Sequence, residues 1–202
     1  MTLQSFSLLT LFACWALAQQ ANTYRGGMVR PPLPKPRFVL MDTSGTAFDF
    51  QQSTDGYVTL LFFGYTNCPD QCPMHVSNLG AALKKLPAGT ASQVRLVFVT
   101  TDPARDSRAV LRKWLDLFDR RFVGLTGTER DIVSVERAAG VPLAARTGPL
   151  NGNYGVSHAN FVIAYTRDNF AHVIYPGGVS KDDWVHDLPL LVRETWASGE
   201  QQ

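Results

Sequence analysis

The sequence predicts an α/β domain, a central mixed sheet flanked by helices, with an N-terminal hairpin and a long loop before its last two strands. Three observations carry this reading. Two nearly continuous apolar runs, residues 57–64 and 94–100, have the composition of strands buried on both faces. After each of them, apolar residues recur at helical spacing. Two late runs, residues 161–165 and 171–175, are joined by the turn-forming pair Asp168-Asn169.

A chain of 202 residues is long enough to bury one good-sized core. Its 45% hydrophobic and 18% charged content are ordinary for a globular domain. A net charge of +2, with no basic run beyond Lys84-Lys85 and Arg120-Arg121, argues against nucleic acid as a partner.

Residues 1–18 carry no charged side chain and have the apolar stretch and the Ala16-Leu17-Ala18 ending of a signal peptide. A second reading cleaves before Cys14 and lipidates it; a third keeps the segment as a weak membrane anchor. All three export the protein. Residues 19–36, with Pro31, Pro32, Pro34 and Pro36, read as a semi-stiff extended linker. Residues 37–202 are then one domain.

Residues 38–41 and 48–50 flank a turn at Ser44-Gly45, the expected hairpin. Residues 57–64 are the central strand, and Val76, Leu79, Leu83 and Leu86 mark the helix after Pro73. The strand at 94–100 leads to a helix at 107–118, with Val110, Leu111, Trp114, Leu115 and Phe118 inward. A short strand at 122–125 precedes a helix at 129–139, ended by Gly140. Residues 141–157 lack a period and form a long loop with an irregular hairpin, a length often associated with function. The last helix, 181–196, opens with a capping box, Ser180 and Asp183, and contains Pro189. A β-α-β unit with cysteines at its first strand-to-helix turn, closed by β-β-α, is the thioredoxin-like pattern.

Cys68 and Cys72 are the only cysteines once residues 1–18 are set aside. Pro73 suits the first helical position and disfavours helical geometry just before it. The helix is therefore expected to start at Pro73, with Cys72 at its cap and Cys68 in the loop. Helix N–H groups favour thiolate there, while Asp70 opposes it. Three residues separate the cysteines, one more than in ordinary thioredoxin-like reductases. The wider loop permits a disulfide and leaves room for two sulfurs on one metal ion. Two thiolates favour a soft ion, copper(I) first and zinc second. A plain structural disulfide gains little from so short a loop, and a structural zinc site wants four ligands.

His158, which follows the long loop and precedes the strand at 161–165, is the candidate third ligand. In a thioredoxin arrangement, residues leading into that strand lie beside the cysteine helix. Two thiolates and an imidazole suit copper in either oxidation state. His75 is an auxiliary candidate, more simply an exposed residue; Met74 reads as a core or rim residue, and His172 and His186 as structural. Asp102, at the carboxyl end of the second buried strand, reads as a group orienting the metal loop, a docking residue or a turn residue before Pro103.

Residues 63–73, Phe-Gly-Tyr-Thr-Asn-Cys-Pro-Asp-Gln-Cys-Pro, closely resemble the cysteine motif of the Sco/SenC family of copper-handling proteins of respiratory-oxidase assembly. Asp102-Pro103-Ala104-Arg105-Asp106, Leu125-Thr126-Gly127 and Val156-Ser157-His158-Ala159 are similar to further signatures of that family, in the same order. Asn67 stands where many members have histidine. The resemblance implies Cys68, Cys72 and His158 as ligands of Cu(I) or Cu(II). It implies delivery of copper to the binuclear site of cytochrome c oxidase subunit II, with other copper chaperones as further partners. Alternatively, it implies thiol–disulfide reduction of that subunit's cysteines by Cys68 and Cys72. Either role belongs in the bacterial periplasm or on the outer face of the cytoplasmic membrane. A peroxide-reducing enzyme of the same fold is disfavoured because its Pro-x-x-x-Thr-x-x-Cys setting is absent around Cys68.

Overall fold

The computed structural model describes residues 24–149 and 154–196; the expected leader at 1–18 lies outside them. An eight-stranded mixed sheet is built from β1 (Gly27–Pro34), β2 (Val39–Asp42), β3 (Ala47–Asp49), β4 (Val58–Gly64), β5 (Val94–Thr100), β6 (Val123–Thr126), β9 (Phe161–Tyr165) and β10 (Phe170–Pro176). Their order across the sheet is β1-β10-β9-β4-β5-β6-β2-β3. β4, β5 and β6 run parallel, and the flanking pairs are antiparallel.

The period-two geometry of β4 divides the core. Leu60 and Phe62 point to one face, where they meet α2 (Gln71–Lys85), α4 (Arg108–Asp116) and α6 (Lys181–Arg193). Leu61 and Phe63 point to the other, against α1 (Phe50–Ser53) and α5 (Glu129–Ala138). Every residue of β4 is buried, which explains its unbroken apolar run. A short turn of helix, α3 (Ala88–Ala91), completes the crossover to β5. The expected thioredoxin-like arrangement is therefore present, with the C-terminal ends of β4 and β5 side by side.

Several expectations are corrected. The proline-rich stretch read as a linker forms β1 over Gly27–Pro34, paired with β10. Its prolines are tolerated because β1 is an edge strand and its register shifts between Met28 and Leu33. Tyr24 and the Arg25 and Gly26 amides are tied to α6, where Asp187 accepts both N–H groups. Phe50 begins a helical turn capped by Asp49 rather than ending a strand. Val110 faces out, 43% exposed, while Leu111 and Leu115 fill the core. Pro189 does not end α6, which runs on to Arg193. The capping box of Ser180 and Asp183 forms as expected, and Gly140 takes φ +66 just beyond α5. In the long loop, β7 (Ala145–Thr147) pairs with β8 (Gly155–Ser157) as the irregular hairpin.

Candidate metal centre

The site is assembled at the C-terminal end of β4. The chain leaves the sheet at Gly64 and turns at Tyr65, whose carbonyl accepts the Cys68 N–H at 3.2 Å. It then enters α2, which starts at Gln71 with Asp70 at its cap, two residues earlier than expected. Pro73 is accommodated because the N–H it lacks is one that a first helical turn leaves unbonded anyway. Cys72 therefore lies inside the first turn and is fully buried, while Cys68 is half-buried in the loop. A Cβ added at Gly64 would come within 2.8 Å of Cys72 Sγ and 3.0 Å of the Phe98 ring, so only glycine leaves room for the sulfur.

His158 arrives from β8. Its Nε2 lies 3.4 Å from Cys72 Sγ, and its Nδ1 is 3.0 Å from the Ala159 carbonyl. A carbonyl only accepts, so Nδ1 carries the proton and the Nε2 lone pair faces the sulfurs. Tyr65 meets the imidazole edge-on at 5.7 Å between ring centres. The ligating atoms of Cys68, Cys72 and His158 all lie within 4.8 Å of one another.

The two thiols differ sharply. The Cys72 side chain and amide, the latter 3.4 Å from Cys68 Sγ, bring the Cys68 pKa down to about 4 against a smaller opposing effect of burial. Cys72 is pushed strongly upward, first by its hydrogen bond to the Cys68 sulfur and then by burial. The metal-free centre thus holds one thiolate and one thiol.

Two carboxylates frame this centre. Asp106 is fully buried and accepts from the Thr66 N–H at 2.9 Å, the Thr66 hydroxyl at 2.5 Å and the Thr100 hydroxyl at 2.7 Å. It pins the start of the cysteine loop to the end of β5. Asp102 holds the long loop that leads to His158. It accepts from the Tyr154 hydroxyl at 2.8 Å and pairs with Arg105, whose guanidinium lies 3.7 Å from the Tyr154 ring centre. His75 is not exposed. It is buried against Phe62 and outside the three-residue cluster, and burial lowers its pKa toward the neutral imidazole. His172 stacks on Trp196 and bonds to Asp168, while His186 bonds to Asp187, both as structural groups.

A family model described as SCO1/SenC matches residues 29–193. The chain belongs to the SCO1/SenC family. Its fold is similar to the solution structure of apo Sco1 from Thermus thermophilus, with TM-score 0.74 and 30% identity over 85% of this chain and 98% of that one. It is similar also to copper-bound ScoI of Bradyrhizobium japonicum, with TM-score 0.70 and 28% identity over 78% of this chain and 99% of that one. Yeast mitochondrial SCO1 is 39% identical over 102 residues, which are 50% of this chain and 34% of that protein. The matched stretch spans 60% or less of the length of the first curated relatives.

The thiol asymmetry of this SCO1/SenC centre predicts a reactivity profile. In the reduced, metal-free protein, Cys68 alkylation by iodoacetamide should follow a titration with a midpoint of about 4, while Cys72, fully buried, reacts far more slowly. Peptide mapping of the alkylated protein across pH checks both. The linkage has a definite sign. The folded Cys68 pKa lies below the unfolded thiol value, so its stabilisation is complete above the unfolded pKa and is lost as pH falls through the folded one.

Proposed function

We propose that this chain binds one copper ion through Cys68 Sγ, Cys72 Sγ and His158 Nε2 and delivers it to the binuclear copper site of cytochrome c oxidase subunit II. The observation that carries the reading is the convergence of two sulfurs and an imidazole lone pair within 4.8 Å. Soft sulfur donors select Cu(I), and the imidazole extends the set to Cu(II). The copper-bound Bradyrhizobium relative, solved on the same fold, supports the choice of metal. Copper is cargo here, acquired and released. Binding would displace the Cys72 proton, and the Ala159 carbonyl would keep the imidazole in the ligating tautomer. A half-buried Cys68 leaves one edge of the set open to an incoming donor, as ligand exchange requires. The apolar, uncharged residues 1–18 support export to the periplasmic side, with or without a membrane tether. Among the described residues, no helix is long and apolar enough to cross a membrane.

The direct test is anaerobic copper titration of the reduced protein against a competing chelator. One copper per chain is expected, with a Cu(II)–thiolate absorption band that disappears in Cys68→Ser and in Cys72→Ser. No stoichiometric binding sinks the reading.

The thiol asymmetry favours a second activity, reduction of a disulfide in the partner's copper site. The Cys68 thiolate attacks one partner sulfur, and the other leaves as thiolate and takes a proton. Cys72 then loses its proton and attacks the Cys68 sulfur, releasing the second partner thiolate. The partner gains two electrons and two protons, one given up by Cys72 and one taken from water, and this chain is left with a Cys68–Cys72 disulfide. Once Cys68 is in the mixed disulfide, the bond to its thiolate no longer holds up the Cys72 pKa, so the second step is eased.

A further inference from the structure

A cavity of about 240 Å³ opens beside the metal centre, between α5 and β7 and above the turn at Thr101, Asp102 and Pro103. Its lining is mixed, with the apolar side chains Ile132 and Val133 on one side and Ala144, Ala145 and Val156 on the other, among polar groups that supply slightly more of its surface. Its lining includes two buried carboxylates. Asp102 is 2% exposed and already paired with Arg105 and Tyr154. Glu136 is 1% exposed; its Oε1 accepts the Ala144 N–H at 3.1 Å, but its Oε2 has no hydrogen-bond partner among the described residues. At the rim, Glu129 pairs with Arg146, and both side chains are solvent-accessible.

An orphaned buried carboxylate oxygen is costly, and native structures seldom keep one without a use. Apolar flanks beside carboxylates match one kind of side chain, a methylene stem ending in a cation. The place also fits a docking role. Val156 lines the cavity two residues before His158, and the Thr101 N–H donates at 2.7 Å to the carbonyl of Gly64, the residue against Cys72 Sγ.

We infer that this cleft receives a lysine or arginine side chain presented by the protein that docks on the metal centre. The seated cation bonds Glu136 Oε2, its stem lies along Ile132 and Val133, and at the rim it competes with Arg146 for Glu129. The docking role rests on the copper-transfer reading; the cation-binding cleft does not. Partners that lack a basic side chain at the matching position would dock less tightly, and the loss would be salt-dependent.

The probe is propylguanidinium, an arginine side chain without its backbone, titrated into the full-length reduced chain and followed by backbone amide NMR. Propylurea, similar in shape and uncharged, is the control. Saturable shifts are expected at Thr101, Val133, Ala144 and Ala145, with propylurea giving none. Glu136→Gln retains an acceptor for the Ala144 N–H, so the fold should survive, and binding should weaken about tenfold or more. Ala145→Phe, at the exposed rim, should block the cleft without touching the acceptor. Equal binding of propylurea, an unchanged Glu136→Gln, or no saturation overturns the proposal. Copper stoichiometry of Glu136→Gln is measured in parallel. One copper retained with propylguanidinium lost separates the cleft from the metal centre, whereas propylguanidinium bound with no copper held by the wild-type chain would overturn the copper reading alone.

Discussion

His158→Ala should weaken copper binding by more than about 100-fold while leaving a Cys68–Cys72 pair that still forms a disulfide. Replacing a mere supporting partner of a ligand costs 10–100-fold in metal affinity as a rule of thumb, so removing the ligand itself should exceed that range. The effect should be larger for Cu(II) than for Cu(I), because two thiolates alone can hold Cu(I) whereas Cu(II) relies on the imidazole. Fold stability should change little. The ring is half-buried, and its protein contacts are a carbonyl, Cys72 Sγ and edge-on packing with Tyr65 and Phe62. The check is competition against a chelator of known affinity, with Cu(II) absorption recorded on the same sample. Unchanged affinity for both oxidation states would remove His158 from the ligand set and leave a dithiol protein whose chemistry is exchange alone.

Cys68 and Cys72 were legible in the sequence by residue type and spacing, and His158 by its place before the strand at 161–165 and by the family resemblance. The strand-to-helix turn carrying the cysteines was also marked, by an apolar run on one side and a helical period on the other. What the sequence concealed was geometry set by partners far along the chain. Pro73 argued for a helix starting at itself, yet α2 starts at Gln71, with Asp70 at the N-cap position, and the proline sits within the first turn. Prolines argued for a free linker, but an edge strand needs only part of its N–H groups, so Gly27–Pro34 joins β10. His75 looked exposed by spacing and is buried against Phe62, a contact made across the sheet–helix interface. Gly64 carried a local signal, a glycine ending a buried strand, but its reason is the sulfur of Cys72.

The pairing of Asp102 and Asp106 shows the same limit. The Asp-Pro-x-Arg-Asp run was visible, and Asp102 drew attention because it follows the strand directly. The structure divides the labour otherwise, with Asp102 on the histidine side through Tyr154 and Asp106 on the cysteine side through Thr66. Each arm of the candidate centre is thus fixed to the same short turn after β5. Relative placement of sulfur and imidazole depends on that turn, although none of its residues belongs to the three-residue cluster.

Asp106→Ala should therefore be strongly damaging although the residue lies outside the three-residue cluster. It strands the Thr66 N–H and two threonine hydroxyls in or near the core, and each unsatisfied buried donor costs about 1–3 kcal/mol. Part of the loss is offset, because the buried carboxylate is itself held at a cost: burial raises the Asp106 pKa despite its three donors. A net destabilisation of about 2–4 kcal/mol is expected from these opposing contributions. For a chain of this size that corresponds to a Tm lower by about 4–16 °C. Asp106→Asn keeps one good acceptor and should lose less. The pH dependence has a specific sign. With a folded pKa above the unfolded carboxyl value, the wild-type protein loses stability as pH rises from the unfolded value through the folded one, and both variants lack that slope. Copper should also leave faster from Asp106→Ala, since Thr66 no longer fixes the loop that carries Cys68, while Cys72, held in α2 against Gly64, keeps its place. Thermal denaturation at several pH values, together with copper release to a chelator, tests both halves. A variant as stable as wild type with unchanged release would mean that the Asp106–Thr66 bonds do not hold the cysteine loop in place.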